Sequence, residues 1–491
     1  MKFGLLVAAS ALALAGISAP SKAQMNMPGM QMPMPQKNNV KTPARKPVAI
    51  QKASPAKKVP RPAPPREAEP AHMQGMAVPA APAPAAPTHQ HMDMPGMTGA
   101  PAGHEMVMNG ALGSYPMVRE SSGTAWQPDS SEHAGLHVVS GDWMLMAHGV
   151  VNLVYDHQSG RRGDNKAFAS GMMMGMARRP IGNGTLQLKA MVSPDPLMGR
   201  RGYPLLLASG ETANGRDRLI DRQHPHDFFM ELSASVSQDI GSNGSVFVYA
   251  GLPGEPAFGP PAFMHREAIM DSPEAPISHH WLDSTHISFG VVTGGVVVGR
   301  FKIEASRFNG REPDQHRWGI ETAPLDSTSV RLSWNPTRAL ALQGSWGHFQ
   351  DPEQLEPGVD QKRWSASLLY AREVALGWKL AGTLAWGRKT AEGHSDEAFV
   401  AEASVKHRGW TAFGRGEMTE NRELVDLSEQ GPAFRVGKVS LGLLRDFRIA
   451  DHWSIGAGGL VAINFVPDAI APDYGGSHPV GTMAFVRLKL G

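Results

Sequence analysis

Three groups of side chains in this sequence are equipped to bind metal. Twelve of its 27 methionines fall between residues 24 and 112. Met25, Met27, Met30, Met32 and Met34 form one cluster, and His72, Met73 and Met76 a second. A third comprises His89, His91, Met92, Met94 and Met97, with His104, Met106 and Met108 behind it. A thioether is a soft, uncharged donor that keeps its lone pairs under oxidising conditions, and soft sulfur selects Cu(I). Nearby imidazoles extend the range to Cu(II), and Ag(I) shares the taste for sulfur. The alternative is a low-complexity linker in which methionine is incidental. Clusters this dense are unusual in polar tracts, so copper or silver is the better reading.

The second group lies further on. His224-Pro225-His226-Asp227 closes one proline- and charge-rich stretch, and His265, Glu267, Asp271, His279, His280, Asp283 and His286 follow in the next. Imidazole and carboxylate ligands suit copper, zinc or nickel. Their spacing matches no defined ligand motif, and a hydrogen-bonded polar loop without metal is the plainer alternative. The third group sits where alternate residues of a strand share a face. Met144, Met146 and His148 would make a ladder for Cu(I) if that face points into a lumen. Met172, Met174 and Met176 also share a face, read here as membrane-facing. His286 and Ser288, two apart on an expected strand, raise an enzymatic alternative in which the imidazole activates the hydroxyl. No Gly-x-Ser-x-Gly elbow or phosphate-binding glycine loop occurs.

Positioning these groups needs an exported scaffold. Lys2, the apolar run over residues 3–15 and the small-x-small site Ser21-Lys22-Ala23 read as a secretory signal peptide over residues 1–23. The chain has no cysteine, which removes disulfides, thiol nucleophiles and Cys-type metal sites. Residues 24–112 hold no Phe, Trp or Tyr but 17 of the 40 prolines. Such a segment buries too little apolar surface to offset its ordering entropy, so a disordered arm is expected. Its Lys/Pro tract over residues 37–69 would reach on the order of 100 Å as polyproline II. The arm carries nine Lys/Arg against four Asp/Glu, a net +5, while residues 113–491 carry about the opposite charge. A basic arm on an acidic body, with no basic stripe of stacking aromatics, argues against nucleic acid.

Past residue 140 a two-residue period takes over. Trp143, Leu145, Ala147, Gly149, Val151, Leu153 and Tyr155 form one face of a segment whose other face starts with Met144, Met146 and His148. Leu186, Leu188 and Ala190 repeat the pattern, as do Met230, Leu232, Ala234 and Val236. Trp378 to Trp386 and Trp453 to Phe465 bracket apolar faces with aromatics, as an interfacial girdle requires. No stretch after the signal reaches the ~18 consecutive apolar residues of a membrane helix. About 14–16 segments of ~9–13 residues fit strands crossing a bilayer at a tilt. The fold class expected is all-β: a transmembrane antiparallel β-barrel preceded by a disordered N-terminal arm. A soluble sandwich or propeller, with shorter strands, is the rival. The last segment ends in Gly491 where many such barrels end in an aromatic residue.

Several phrases carry a resemblance. They include Arg201-Gly202-Tyr203-Pro204-Leu205, Arg222-Gln223-His224-Pro225-His226-Asp227 and Gly251-Leu252-Pro253-Gly254-Glu255-Pro256-Ala257. Pro260-Pro261-Ala262-Phe263-Met264-His265-Arg266 and His279-His280-Trp281-Leu282-Asp283-Ser284-Thr285-His286 complete the set. Through them the region from Trp126 to about Pro357 resembles a family of uncharacterised bacterial exported proteins, which implies no particular activity. The layout of signal, Met/His-rich arm and barrel is similar to the copper-resistance outer-membrane protein B family, in architecture and not in residues. Thr285 to Gly290 resembles the His-x-Ser pair of the outer-membrane phospholipase A family over about five residues.

The expected organisation is a signal peptide at 1–23, a periplasmic arm at 24–112, a connecting segment at 113–141 and an outer-membrane barrel at 142–491. The expected function is copper handling without enzymatic activity. The arm would capture Cu(I), or silver, and the barrel would sequester or export it. No organic cofactor is expected; metal ions, outer-membrane lipid and periplasmic copper proteins are the expected partners. A general porin with an incidental arm is the alternative, and a barrel lipase the third.

Overall fold

A computed structural model describes residues 109–132, 135–425 and 431–491. The signal peptide and the arm's candidate ligands, from Met25 to Met108, lie outside the described residues.

Strands with one apolar and one polar face leave hydrogen-bonding edges open unless the sheet closes on itself. Here it closes. The wall begins with β2 (Trp143–Gln158), preceded by the short β1 (Leu136–Ser140), which pairs with the start of β2. It continues through β3 (Asn165–Ile181) and β4 (Gly184–Val192). An inner hairpin intervenes, β5 (Tyr203–Thr212) with β6 (Arg218–Gln223), forming its own two-stranded sheet. The wall resumes with β7 (Phe229–Ile240), β8 (Gly244–Gly251), β9 (Val291–Val298) and β10 (Phe301–Phe308). Next come β11 (Ser327–Thr337), β12 (Leu340–Phe349), β13 (Gln361–Val374) and β14 (Trp378–Ala391). β15 (His394–His407), β16 (Trp410–Asn421), β17 (Phe434–Ala450), β18 (Trp453–Phe465) and β19 (Val480–Leu490) complete the circuit. Each strand is antiparallel to the next, and β19 returns to β2 with Gly481 opposite Gln158 and Leu490 opposite Gly149. Among the described residues the closed ring therefore has sixteen strands, β2–β4 and β7–β19. The expected antiparallel barrel is the observed fold.

The pleat sorts side chains by polarity. On β10 the outward Phe301 and Ile303 are exposed while the inward Lys302, Glu304 and Ser306 are buried. β17 repeats this with Leu441 and Leu443 outside, Lys438 and Ser440 inside. Exposed aromatics mark both ends of the outer face: Phe301, Trp334, Trp410, Phe447 and Trp453 at one, Tyr155, Trp364, Phe399 and Phe465 at the other. At the first end neighbouring strands are joined by two- or three-residue turns such as 182–183, 299–300 and 408–409. At the second they are joined mostly by longer segments, chiefly 193–228 and 252–290.

Those two segments, together with residues 109–131, fold inward and fill the barrel. The inward wall charges need partners, because an ion left alone in a low-dielectric interior costs several kcal/mol. The segments supply them. Arg266 lies wholly buried and donates to Glu402 of β15 at 2.7 and 2.8 Å and to Asp283. Arg487 of β19 reaches Asp271 at 2.6 Å, Lys438 of β17 pairs with Glu274, and Ser278 donates to Glu417 of β16 at 2.7 Å. Arg218 of the inner hairpin meets Glu423 at 2.6 Å. Residues 109–131 are tied by Arg178 to Glu120 at 2.6 Å and by Asn335 to the Gln127 carbonyl at 2.9 Å.

Candidate functional site

Two chemically distinct zones lie inside the ring. The first gathers five of the histidines that sequence spacing grouped. The stretch that follows the inner hairpin, between β6 and β7, presents His224 and His226. A one-turn helix, His279–Leu282, and the 3-10 turn Ser284–His286 present His279, His280 and His286. Their rings form a continuous file. His224 lies 5.5 Å from His280, His280 5.7 Å from His279, His279 5.2 Å from His286, and His286 5.1 Å from His226, between centroids. Gly210 of β5, at φ +110, backs onto the His280 ring, where a Cβ would sit 2.7 Å from Nε2. A side chain there would displace the imidazole.

Each ring is oriented by an oxygen. Nδ1 of His226 donates to Asp195 at 2.8 Å, that of His279 to Asp283 at 2.8 Å, that of His280 to Glu312 at 2.8 Å, and that of His286 to the Asp283 carbonyl at 2.7 Å. Nε2 of His224 lies 3.1 Å from Glu211. Burial disfavours charge on His224, His279 and His286 and holds all three below the usual imidazole value, for His279 even against Asp283. For His280 burial acts the same way, but Glu312, with Glu353 and Glu211 beyond it, outweighs it and pushes the group up to about 9. Asp227 and Asp283 serve as counter-ions, Asp227 to Arg317 at 3.0 Å and Asp283 to Arg266. Among the described residues no three His, Asp or Glu side chains are grouped so as to hold a metal ion. The zone is built as a hydrogen-bonded network in which carboxylates orient the rings and buried arginines offset the charge of Asp227 and Asp283.

His286 and Ser288 depart from the expected strand. Residues 284–286 form the 3-10 turn and β9 starts only at Val291, so the two side chains do not share a strand face. The Ser288 hydroxyl donates to the Thr285 carbonyl at 3.1 Å, and His286 Nδ1 is taken by Asp283. Ile287 and Phe289, on either side of Ser288, are buried inside. The reason is that the segment turns inward before it joins the wall.

The second zone was only partly legible. Met144, Met146 and His148 do face inward, with Leu145 exposed on the outer side. Met172, Met174 and Met176 correct the expectation of a membrane-facing row. Register decides the matter: Met146 lies opposite Met176, His148 opposite Met174 and Val150 opposite Met172, and cross-strand partners share a face. Met173 takes the outer face and is 52% exposed. Met191 of β4 continues the row opposite Met174. Met230 joins it because the β4–β7 register shifts between Met191 and Val192, turning inward a residue whose phase predicted the outer face. The segment 252–290 brings Met264, His265 and Met270 against this wall, around a cavity of about 110 Å3 that Met146, Met172, Met174, Met176 and His148 also line. His265 thereby leaves the other histidines. Its ring centroid lies 6.4 Å from that of His148, and its Nε2 is buried with no hydrogen-bond partner. The flanking Met264 and Met270 were the sequence signal that separates it from its group.

No family model and no curated protein matches the chain. Solved structures similar to it include OmpT of Vibrio cholerae, with 9% identity and a TM-score of 0.41, covering 72% of this chain and 100% of that one. An anion-selective porin from Comamonas acidovorans gives 11% and 0.40, over 71% and 100% of the two chains. Pseudomonas putida OprB gives 8% and 0.43, over 71% and 94%. The resemblance to the copper-resistance family thus rests on layout alone, and the fold is read from the strand pairing described above.

Proposed function

We propose that this protein is an outer-membrane barrel that handles copper, capturing Cu(I) on a periplasmic arm and receiving it inside the barrel. One observation carries the reading: the ligand chemistry of the arm recurs on the inner wall. Inward positions elsewhere on the ring mix Ser, Thr, Lys, Arg, Glu and Asn with apolar residues such as Phe413, Leu444 and Phe485 and a single buried methionine, Met483. On β2, β3, β4 and β7, by contrast, methionine is concentrated, at Met146, Met172, Met174, Met176, Met191 and Met230. Placement in the outer membrane is supported by the export signal, the closed ring, the exposed apolar outer face and its two aromatic levels. Short turns face the periplasm in exported barrels. Ser237 and Ser245, beside the 241–243 turn, hold the carbonyls of Ala111 and Leu112, which supports a periplasmic arm.

The polar inner face also suits a general porin, the alternative reading. Three inward segments anchored by buried ion pairs speak against a wide permanent channel. Metal analysis of the membrane-extracted protein after loading with copper, zinc and silver tests the proposal. Selective retention of copper or silver, reduced when residues 24–112 are deleted, is the expected result. Equal retention with and without the arm would remove its capture role. A large planar-bilayer conductance indifferent to copper would favour the porin.

A further inference from the structure

We propose that the chamber between the β2–β4 wall and the segment 252–290 is a discrete Cu(I) site, with Met172, Met174, Met264 and His265 as its ligands. The inference rests on the copper reading and names the place where the ion is held within the barrel.

The donors come from two elements. Met172 and Met174 stand on one inward face of β3, and Met264 and His265 arrive from the inward segment. Met172 is buried in an apolar cluster with Met191, Met230, Ile287 and Phe289, and Met174 and Met264 pack against it. His265 faces His148, and His148 lies opposite Met174 on the neighbouring strand, so imidazole and thioether share one wall. The orphaned Nε2 of His265 is what separates this cluster from ordinary methionine packing. A buried polar atom without a partner costs about 1–3 kcal/mol, and a bound ion would offset that cost.

Charge selects the ion. Thioethers and a neutral imidazole bring no negative charge, so they suit a soft monovalent cation and offer little to a hard divalent one. Of the charged groups lining the chamber, Glu120 is engaged by Arg178 at 2.6 Å and Lys189 by Glu231 at 3.2 Å. Glu267 accepts from the Glu132 main chain at 3.3 Å, and Lys406 pairs with Asp271 at 2.9 Å. The chamber is also bordered by Glu120, Ser121, Gly123 and Thr124, within the segment that follows the arm in sequence.

The test uses the full chain in detergent, titrated with Cu(I) against a chromophoric Cu(I) chelator. Three proteins are compared: the unaltered chain, a chamber variant carrying Met172→Leu, Met174→Leu and Met264→Leu, and an arm variant with its twelve methionines changed to leucine. Leucine conserves volume, so the chamber variant should keep its packing. The expected result is that the chamber variant loses one copper equivalent per chain and the arm variant retains it. A chamber variant that binds as many equivalents as the unaltered chain overturns the site. So does an arm variant that binds none while the unaltered chain binds several, and in that case copper handling by the arm still stands. An unaltered chain that binds no copper overturns both. Copper K-edge spectroscopy on the arm variant, whose barrel residues are untouched, gives a check independent of the chamber substitutions. Mixed sulfur and nitrogen scattering supports the site, and oxygen and nitrogen alone overturn it.

Discussion

Arg266 shows what a single residue contributes to this architecture. Its guanidinium is fully buried between Asp283, seventeen residues on, and Glu402 across the lumen. The pairing was invisible in sequence, because a partner 136 positions away on another strand leaves no local signature. Spacing did make Asp283 visible, but as a metal ligand. In the structure burial would raise its carboxyl, and Arg266 with His279 instead holds it well below the usual carboxylate range. Removing one partner of a buried pair strands the other, at a typical cost of 3–5 kcal/mol. Arg266→Ala should therefore destabilise by about 3–5 kcal/mol, and Arg266→Ala with Glu402→Gln by less, since one stranded charge is gone. Denaturant titration of the two variants measures the difference. Equal losses would mean that Glu402 finds another partner.

At the scale of elements, legibility followed burial on one face. Wall strands such as β2 and β17 have one face toward the lumen and one away, so alternation marks them. The inner hairpin was missed because β5 is buried almost along its whole length, and Tyr203 to Ala208 show no alternation to read. The phase of β3 was misread because methionine stands at 172, 173, 174 and 176, on both faces, and only pairing with β2 settles it. The inward segments carry their own titration behaviour. His224, His279 and His286 are held neutral when folded, with values below the ~6.5 of a free imidazole. Below about pH 6.5 the released segments take up protons that the seated ones refuse, so seating weakens as pH falls, by up to about 1.4 kcal/mol per pH unit for each group. His280 has the opposite sign. Its contribution is whole below about 6.5 and is lost as pH rises toward its folded value of about 9. Amide-exchange protection of residues 277–286, corrected for intrinsic rates, should fall on the acid side of neutrality and again on the alkaline side. His280→Gln should reduce the alkaline loss, leaving the part due to Glu211, whose buried carboxyl is pushed up to about 8, and should leave the acid loss in place. An unchanged alkaline limb would assign it to another group.

For the whole molecule, the outer surface and the inner one obey opposite rules, and this separates a membrane-spanning ring from a water-soluble one. A soluble barrel hides its apolar residues inside. This one buries Lys302, Arg331, Arg363, Glu402 and Lys438 and exposes Leu441, Leu443, Ile303, Leu384 and Val461. Leu441 lies near the middle of β17, between the level of Phe465, opposite Gly437, and that of Trp453, opposite Ala450. If the two aromatic levels mark the edges of a bilayer, a charge at 441 sits near its midplane, where an arginine on a lipid-facing strand position costs roughly 2–4 kcal/mol. Leu376, 87% exposed in a short turn, lies beyond the aromatic level. Leu441→Arg should thus lower stability by about 2–4 kcal/mol when the protein refolds into lipid vesicles. Leu376→Arg should stay within about 0.5 kcal/mol of the unaltered chain. In water an arginine at an exposed surface position costs almost nothing, so a soluble ring would show no penalty at either site. The depth dependence, more than the size of either change, decides where the ring resides.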